Sequence, residues 1–213
     1  MLRHSVQVIN LSIKSRFAAA LFVSLCLLGC SRQQQVCFTA DEWREGDLVL
    51  RCGYGLESKA VSTQSRSLYS HIGLLHYDSL QGEWQVVHAV PAEDEPEYVK
   101  AEPVTLFFSP ARAQRGAWLR VDCGDEVAKK AADYALEKVK QQVLFDNDYS
   151  LDDSTQIYCT ELVWRAYGAQ GIDISGGRRH PAPTFFCKEG EGIFPIDIEQ
   201  SETTLFVKHF NSN

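Results

Sequence analysis

The apolar and polar positions of the chain change period several times, and each change marks an element. Leu48 to Cys52 is a short apolar run after the turn-rich Asp41-Glu42-Trp43-Arg44-Glu45-Gly46-Asp47, which predicts a strand. Ser70 to Tyr77 and Trp84 to Val90 are longer runs of β-branched, aliphatic and aromatic residues on either side of the polar stretch Asp78 to Glu83, which predicts an antiparallel hairpin. From Asp125 to Val143 the period lengthens: Val127, Ala128, Ala131, Ala132, Ala135, Val139 and Val143 recur at helical spacing among lysines and glutamates. A second helix is expected over Tyr158 to Ala169, with Leu162, Val163 and Ala166 on its apolar side and Gly171 at its end. Residues 57–68 read as a polar helix or loop, 91–116 as an irregular, proline-rich and charged stretch with a strand at Val104 to Phe108, and 176–181 as a basic loop. Ala117 to Val121 and Leu205 to Phe210 complete the strands. The expected fold class is α+β, a small antiparallel sheet or partial barrel packed against helices.

The N-terminus stands apart. Arg3, Lys14 and Arg16 precede an apolar run, Phe17 to Leu28, that is too short to cross a bilayer core as a helix, the pattern of an export signal. It closes on Leu27-Leu28-Gly29-Cys30, which resembles the lipobox of bacterial lipoproteins, in which the cysteine is acylated and becomes the first residue. An ordinary secretory signal, or an uncleaved anchor with a chance cysteine, is the alternative. The expected organisation is a signal peptide at 1–29, a lipidated tether at 30–40 and one domain at 41–213. Ser31 after the cysteine, rather than aspartate, directs such a lipoprotein to the outer membrane, facing the periplasm.

Processing at Cys30 removes three basic residues and no acid, taking the formal net charge from -7 to -10. So acidic a surface repels phosphate backbones and argues against nucleic acid as a partner. With 45% hydrophobic and 11% aromatic residues, fewer than two hundred mature residues bury one good core, as a monomer or weak oligomer. Of the seven cysteines, Cys26 leaves with the signal and Cys30 carries lipid, so Cys37, Cys52, Cys123, Cys159 and Cys187 remain. Five is odd, and an unpaired thiol in an oxidising compartment is either inert and buried or kept for chemistry.

Cys159 falls in the first turn of the second helix, where unpaired N–H groups and the helix dipole favour a thiolate and lower the thiol pKa. A histidine is its natural partner. With the hairpin turn centred between Leu80 and Gln81, His88 stands opposite Gly73 and on the same face as His71, which makes the two imidazoles diagonal neighbours roughly 7 Å apart. A one-residue slip would place them on opposite faces. The acidic run Asp146 to Asp153 lacks the glycine and terminal glutamate of a calcium loop and reads as a solvated, helix-capping loop. Close Cys-x-x-Cys and His-x-x-x-His pairs are missing, so no metal and no cofactor is expected.

Gly46-Asp47-Leu48-Val49, Tyr69-Ser70-His71-Ile72-Gly73, and Asp148 to Asp153 followed by Tyr158-Cys159-Thr160-Glu161-Leu162-Val163 together resemble the permuted papain-like amidases of the NlpC superfamily. That resemblance covers about Gly46 to Tyr167. It implies a circularly permuted papain-like fold, with Cys159 as nucleophile, His71 as base, and a polar residue on the following strand as orienter. The orienter falls at His88; in a different register Glu93, Glu95 or Glu97 takes its place. Tyr54, Tyr158 and Glu161 are candidate substrate-binding residues. The implied activity is Cys-His hydrolysis of an amide bond, in cell-wall peptides or in lipid amides or esters. A catalytically silent peptide- or lipid-binding module of the same fold is the alternative from another class.

Overall fold

The computed structural model describes residues 35–91, 97–152, 155–181 and 191–210. In chain order the elements are β1 (Leu48–Cys52), α1 (Leu56–Ser65), β2 (His71–Asp78), β3 (Glu83–Ala89), β4 (Val99–Pro103), α2 (Val104–Phe107), β5 (Arg115–Val121), α3 (Asp125–Lys140), β6 (Leu144–Phe145), β7 (Gln156–Ile157), α4 (Cys159–Gly168), β8 (His180–Pro181), β9 (Glu191–Gly192), α5 (Pro195–Glu199) and β10 (Thr204–Phe210). Six strands form an open sheet in the order β10-β5-β1-β2-β3-β4, with every neighbouring pair antiparallel. The α+β expectation stands, and the sheet is open rather than a closed barrel.

Alternation along the strands divides the core in two. Leu48, Leu50, Ile72, Leu74, Val87 and Leu119 face α3 and α4, where Ala131, Ala135, Leu162, Val163 and Ala166 close the layer. Val49, Leu75, Val86 and Trp118 face the other way, onto Val36, Trp43, Phe107, Phe108 and Phe210. Val36 is 1% exposed and Phe38 stacks on Trp43 at 5.5 Å, so the packed domain begins ahead of residue 41 and takes in part of the expected tether. Cys30 and the preceding segment lie outside the described residues.

The expected hairpin register agrees with the structure: Leu74 pairs with Val87 and His76 with Gln85. The 91–116 stretch is more ordered than its composition implies. It holds strand β4, paired with β3 along Gln85–Pro103 to Ala89–Val99, and the expected strand at Val104 to Phe108 is instead a helix. Pro103, at φ -52, turns the chain at the end of β4, and Phe107 and Phe108 are then buried by folding back over the sheet.

β2 and β3 pair from Asp78–Glu83 to Leu74–Val87 and no further. On its other side β2 remains paired with β1 as far as Arg51–His71. The β2–β3 ladder therefore ends short of His71 and His88. Gly73 lets His88 sit close against β2, because a Cβ there would lie 2.4 Å from Val86 Cγ1, 2.9 Å from the Val87 carbonyl oxygen and 3.0 Å from His88 Cβ.

Overpacking of this kind costs about 1–3 kcal/mol. Gly73→Ala is therefore expected to lower the unfolding free energy by that amount in urea titrations with an unchanged m-value, and an unaltered midpoint would contradict the close approach of His88 to β2.

Candidate active site

Helix α4 starts where Tyr158 leaves extended backbone, at φ -97 and ψ 173, and Leu162 N–H bonds its carbonyl at 2.9 Å. Glu161 secures the first turn: one carboxylate oxygen accepts from the Tyr158 N–H at 3.4 Å and the other from Arg165 Nε at 2.7 Å. Glu161 is wholly buried, and that burial, opposed by Arg165, lifts its carboxyl to about 7. Expected from the sequence as a substrate-binding residue, it serves as a helix cap outside the cavity lining.

The acidic run also departs from expectation. Asp146 is 3% exposed and accepts N–H bonds from Asp148 and Ser150, each at 2.8 Å. The turn it ties holds Tyr149 at φ +53. The Tyr149 ring lies 5.6 Å from Phe145 and 5.5 Å from Tyr158, centroid to centroid. Asp146 therefore organises one wall of the site, whereas capping of α4 falls to Glu161. Asp153 lies outside the described residues.

Cys159 and His71 line one cavity. The apolar part of its wall comes from Val61, Val90, Phe145, Tyr149, Ile193 and Phe194, and the polar part includes Arg51, Glu57, Ser70 and Thr160. The sulfur reaches the sheet from the helix side. The backbone amides of Ile72, which lies just beyond the last β2–β3 pair, of Thr160 and of Cys159 itself favour its thiolate form. The Thr160 hydroxyl lies 3.7 Å from it. Burial nevertheless raises the thiol pKa, outweighing these donors. The expectation of a depressed pKa at the helix N-terminus is thus overturned, because the sulfur is 7% exposed and desolvation of the thiolate exceeds the dipole's contribution.

The histidines come from the opposite face of the sheet. His71 Nε2 and His88 Nδ1 are 2.7 Å apart, with ring centroids at 5.0 Å, and both rings pack on Phe107. His71 is 8% exposed and His88 fully buried. Burial holds the His71 imidazole well below its ordinary value, with Arg51 adding to the effect, and holds His88 at about 4. The resting groups are therefore a neutral thiol and neutral imidazoles.

A further residue, missed from the sequence, completes the row. Glu102 on β4 is diagonal to His88 across the β3–β4 pair, and its Oε1 lies 3.2 Å from His88 Nε2 in a bent approach. Its Oε2 accepts from Arg112 Nη1 at 2.9 Å and lies 3.7 Å from Lys100 Nζ. Burial pushes the carboxyl up, but His88, Lys100 and Arg112 together bring it down to about 2. Glu97 instead accepts from Asn147 Nδ2 at 3.1 Å and takes no part in this row; Glu93 and Glu95 lie outside the described residues.

Residues 42–182 match the family described as permuted papain-like amidase enzyme, YaeF/YiiX, C92 family. The chain belongs to this permuted papain-like amidase family. Among solved structures, the crystal structure of metalloprotein yiiX from Escherichia coli O157:H7 shares the fold, with a TM-score of 0.63 and 20% identity over 78% of this chain and 96% of that one. A comparison with curated proteins finds no match.

Membership of an amidase family supports a hydrolase, and the remaining sequence candidates sort by position. Tyr158 lines the cavity and its hydroxyl accepts the Ile193 N–H at 2.8 Å, tying the start of α4 to the opposite wall. Tyr54, expected to contact substrate, is 38% exposed and outside the cavity lining, because the chain turns away at Gly53 into α1. Cys52, Cys123 and Cys159 are free thiols, and Cys187 lies outside the described residues.

Proposed function

We propose that the chain is a thiol amidase in which Cys159 is the nucleophile, His71 the base and His88 the residue that orients it. The observation that carries this reading is the shared wall: a helix-N-terminal sulfur against the Ile72 amide, in the same cavity as a histidine whose far nitrogen is held by a second imidazole. His71 Nε2 is engaged with His88, which leaves Nδ1 to serve the thiol. Nδ1 takes the thiol proton as sulfur bonds to the amide carbonyl carbon, and backbone N–H groups at the start of α4 receive the oxyanion. The C–N bond then breaks with the Nδ1 proton passing to the amine. Water, deprotonated by Nδ1, attacks the thioester, releasing the carboxylic acid and restoring the thiol.

Both cell-wall peptides and lipid amides or esters suit an enzyme of this class beside a membrane. The apolar side chains around Cys159 favour the second, because an acyl chain buried there gains about 0.8 kcal/mol per methylene. A catalytically silent binding module would need the cavity but not the ordered imidazoles.

The solved relative is called a metalloprotein, so the fit of a metal to this site matters. Among the described residues no group of three or more His, Cys, Asp or Glu side chains is arranged to hold one. The facing nitrogens of His71 and His88 are turned to each other at 2.7 Å, leaving them no ligand direction to share. The residues do not fit a metal, and no step is routed through one.

Export and acylation at Cys30 belong to the same proposal, supported by the charged, apolar and Leu-Leu-Gly-Cys pattern of residues 3–30. No helix among the described residues is long and apolar enough to cross a membrane. A single acyl chain binds only marginally, so a fully processed lipoprotein with several chains is expected to stay with the outer-membrane fraction. Cys30→Ala should move the protein out of that fraction; unchanged fractionation would overturn the anchor.

For the chemistry, p-nitrophenyl esters and the matching acyl anilides serve as probes. Cys159→Ala should abolish turnover and His71→Ala lower kcat about 10²–10⁴-fold. For the wild type, kcat/KM should rise roughly fourfold per acyl methylene until the cavity is filled. Since His71 acts as a neutral base and its pKa is lowered, the acid limb of the pH profile should lie below pH 6.5. Turnover that survives Cys159→Ala would sink the reading.

A further inference from the structure

The row of polar groups does not stop at His88, and its last member decides where the protons sit. Glu102 is 5% exposed and placed on β4, two strands from His71. His88 Nε2 and Glu102 Oε1 are buried, face each other at 3.2 Å, and have no better-aligned partner among the described residues. The carboxylate is fixed from its other side by Arg112 and Lys100. Leaving either atom unmatched in such a place is costly, which makes each the natural partner of the other.

We infer that Glu102 is a positioning residue that selects the tautomers of both histidines and so makes His71 Nδ1 the basic atom of the site. An ionised carboxylate only accepts, so the His88 proton must be on Nε2. His88 Nδ1 is then an acceptor. His71 Nε2, at 2.7 Å from it, must therefore donate. His71 Nδ1 is left without a proton and with a free lone pair. Reversing one link reverses all of them: with His88 protonated on Nδ1, His71 carries its proton on the atom that has to receive one. Glu102 touches neither thiol nor cavity and acts through His88 alone. The lowered pKa of Glu102, at about 2, keeps it ionised, and so an acceptor, across the physiological range.

The charged and titratable groups around the row are Arg51 on β1, His88 on β3, Lys100 and Glu102 on β4, Arg112 before β5, and Cys159 on α4. Arg51 Nη1 bonds the Phe107 carbonyl at 3.0 Å and its guanidinium lies 4.7 Å from the Phe107 ring, on the face the imidazoles share. These cations oppose a proton on either imidazole, so both histidines remain neutral and their tautomers, not their charge, carry the information.

This inference rests on the catalytic reading of Cys159 and His71, yet it is measured apart from it. The full chain labelled with 15N-histidine should show His71 and His88 as neutral Nε2–H tautomers at pH 7.5, in spectra that need no substrate. Glu102→Gln removes the obligate acceptor, since an amide can donate or accept; both tautomers should become mixed. With p-nitrophenyl octanoate, kcat should fall at least about tenfold with KM within about twofold, and Glu102→Asp should keep the Nε2–H signature. A proton on Nδ1 of either wild-type histidine overturns the inference, and so does Glu102→Gln with unchanged tautomers and kcat. If that variant fails to fold, the wild-type spectrum still decides. An inactive wild type with the expected tautomers would remove the catalytic reading and leave the tautomer selection standing.

Discussion

The site depends on a place where two strands stop pairing. An antiparallel ladder uses every second amide of each strand, yet the β2–β3 ladder ends at Leu74–Val87, and the next amide on that side of β2, that of Ile72, acts on the Cys159 thiol by favouring its thiolate. Because side chains alternate across a sheet, His71 and Ile72 face opposite layers. Beyond the end of the ladder, a sulfur delivered by a helix on one face and an imidazole anchored on the other line a common cavity. Gly73 makes room for His88, and Phe107, folded back after Pro103, supplies the floor on which both histidines lie.

Burial then sets the chemistry. A thiolate–imidazolium pair needs solvation or strong compensation, and here desolvation acts against both charges. The resting site is accordingly neutral, and in the proposed mechanism charge develops only as the proton transfers during attack on a bound substrate. That arrangement suits an enzyme whose cavity is largely apolar: a substrate that fills it excludes water and strengthens each dipole already aimed at the reacting atoms. In the proposed mechanism the carboxylate, kept two strands away and neutralised by Arg112 and Lys100, stabilises the transient imidazolium without bringing a resting charge to the sulfur.

Much of this was legible in the sequence where a local rule governed the outcome. The alternation of β2 and β3 and the polar turn between them specified the register that brings His71 beside His88, and the apolar spacing of α4 placed Cys159 at its start. What escaped was decided by tertiary burial. Val99-Lys100-Ala101-Glu102-Pro103 reads as a charged loop, because its charged residues occupy the face that a strand would normally turn inward; only the pairing with β3 reveals that Glu102 points at His88. Its alternation of apolar and charged positions was the one available signal. Val104 to Phe108 has the β-branched and aromatic composition of a strand but follows a proline that breaks the extended path. Glu161 and Asp146 were read as ligand-facing or solvated for want of the backbone amides that they satisfy. The thiol was expected to be acidic from its helix position alone, whereas its burial could be known only from the packed fold.

The account's central claim is that one sulfur is acylated with help from one imidazole. Rapid quenching with p-nitrophenyl octanoate, followed by intact mass and peptide mapping, reads it directly. An octanoyl thioester on Cys159 that builds up before steady state, and that forms far more slowly in His71→Ala, is the expected result. Acylation at Cys52 or Cys123 instead, or an adduct on Cys159 that forms equally fast without His71, would contradict it.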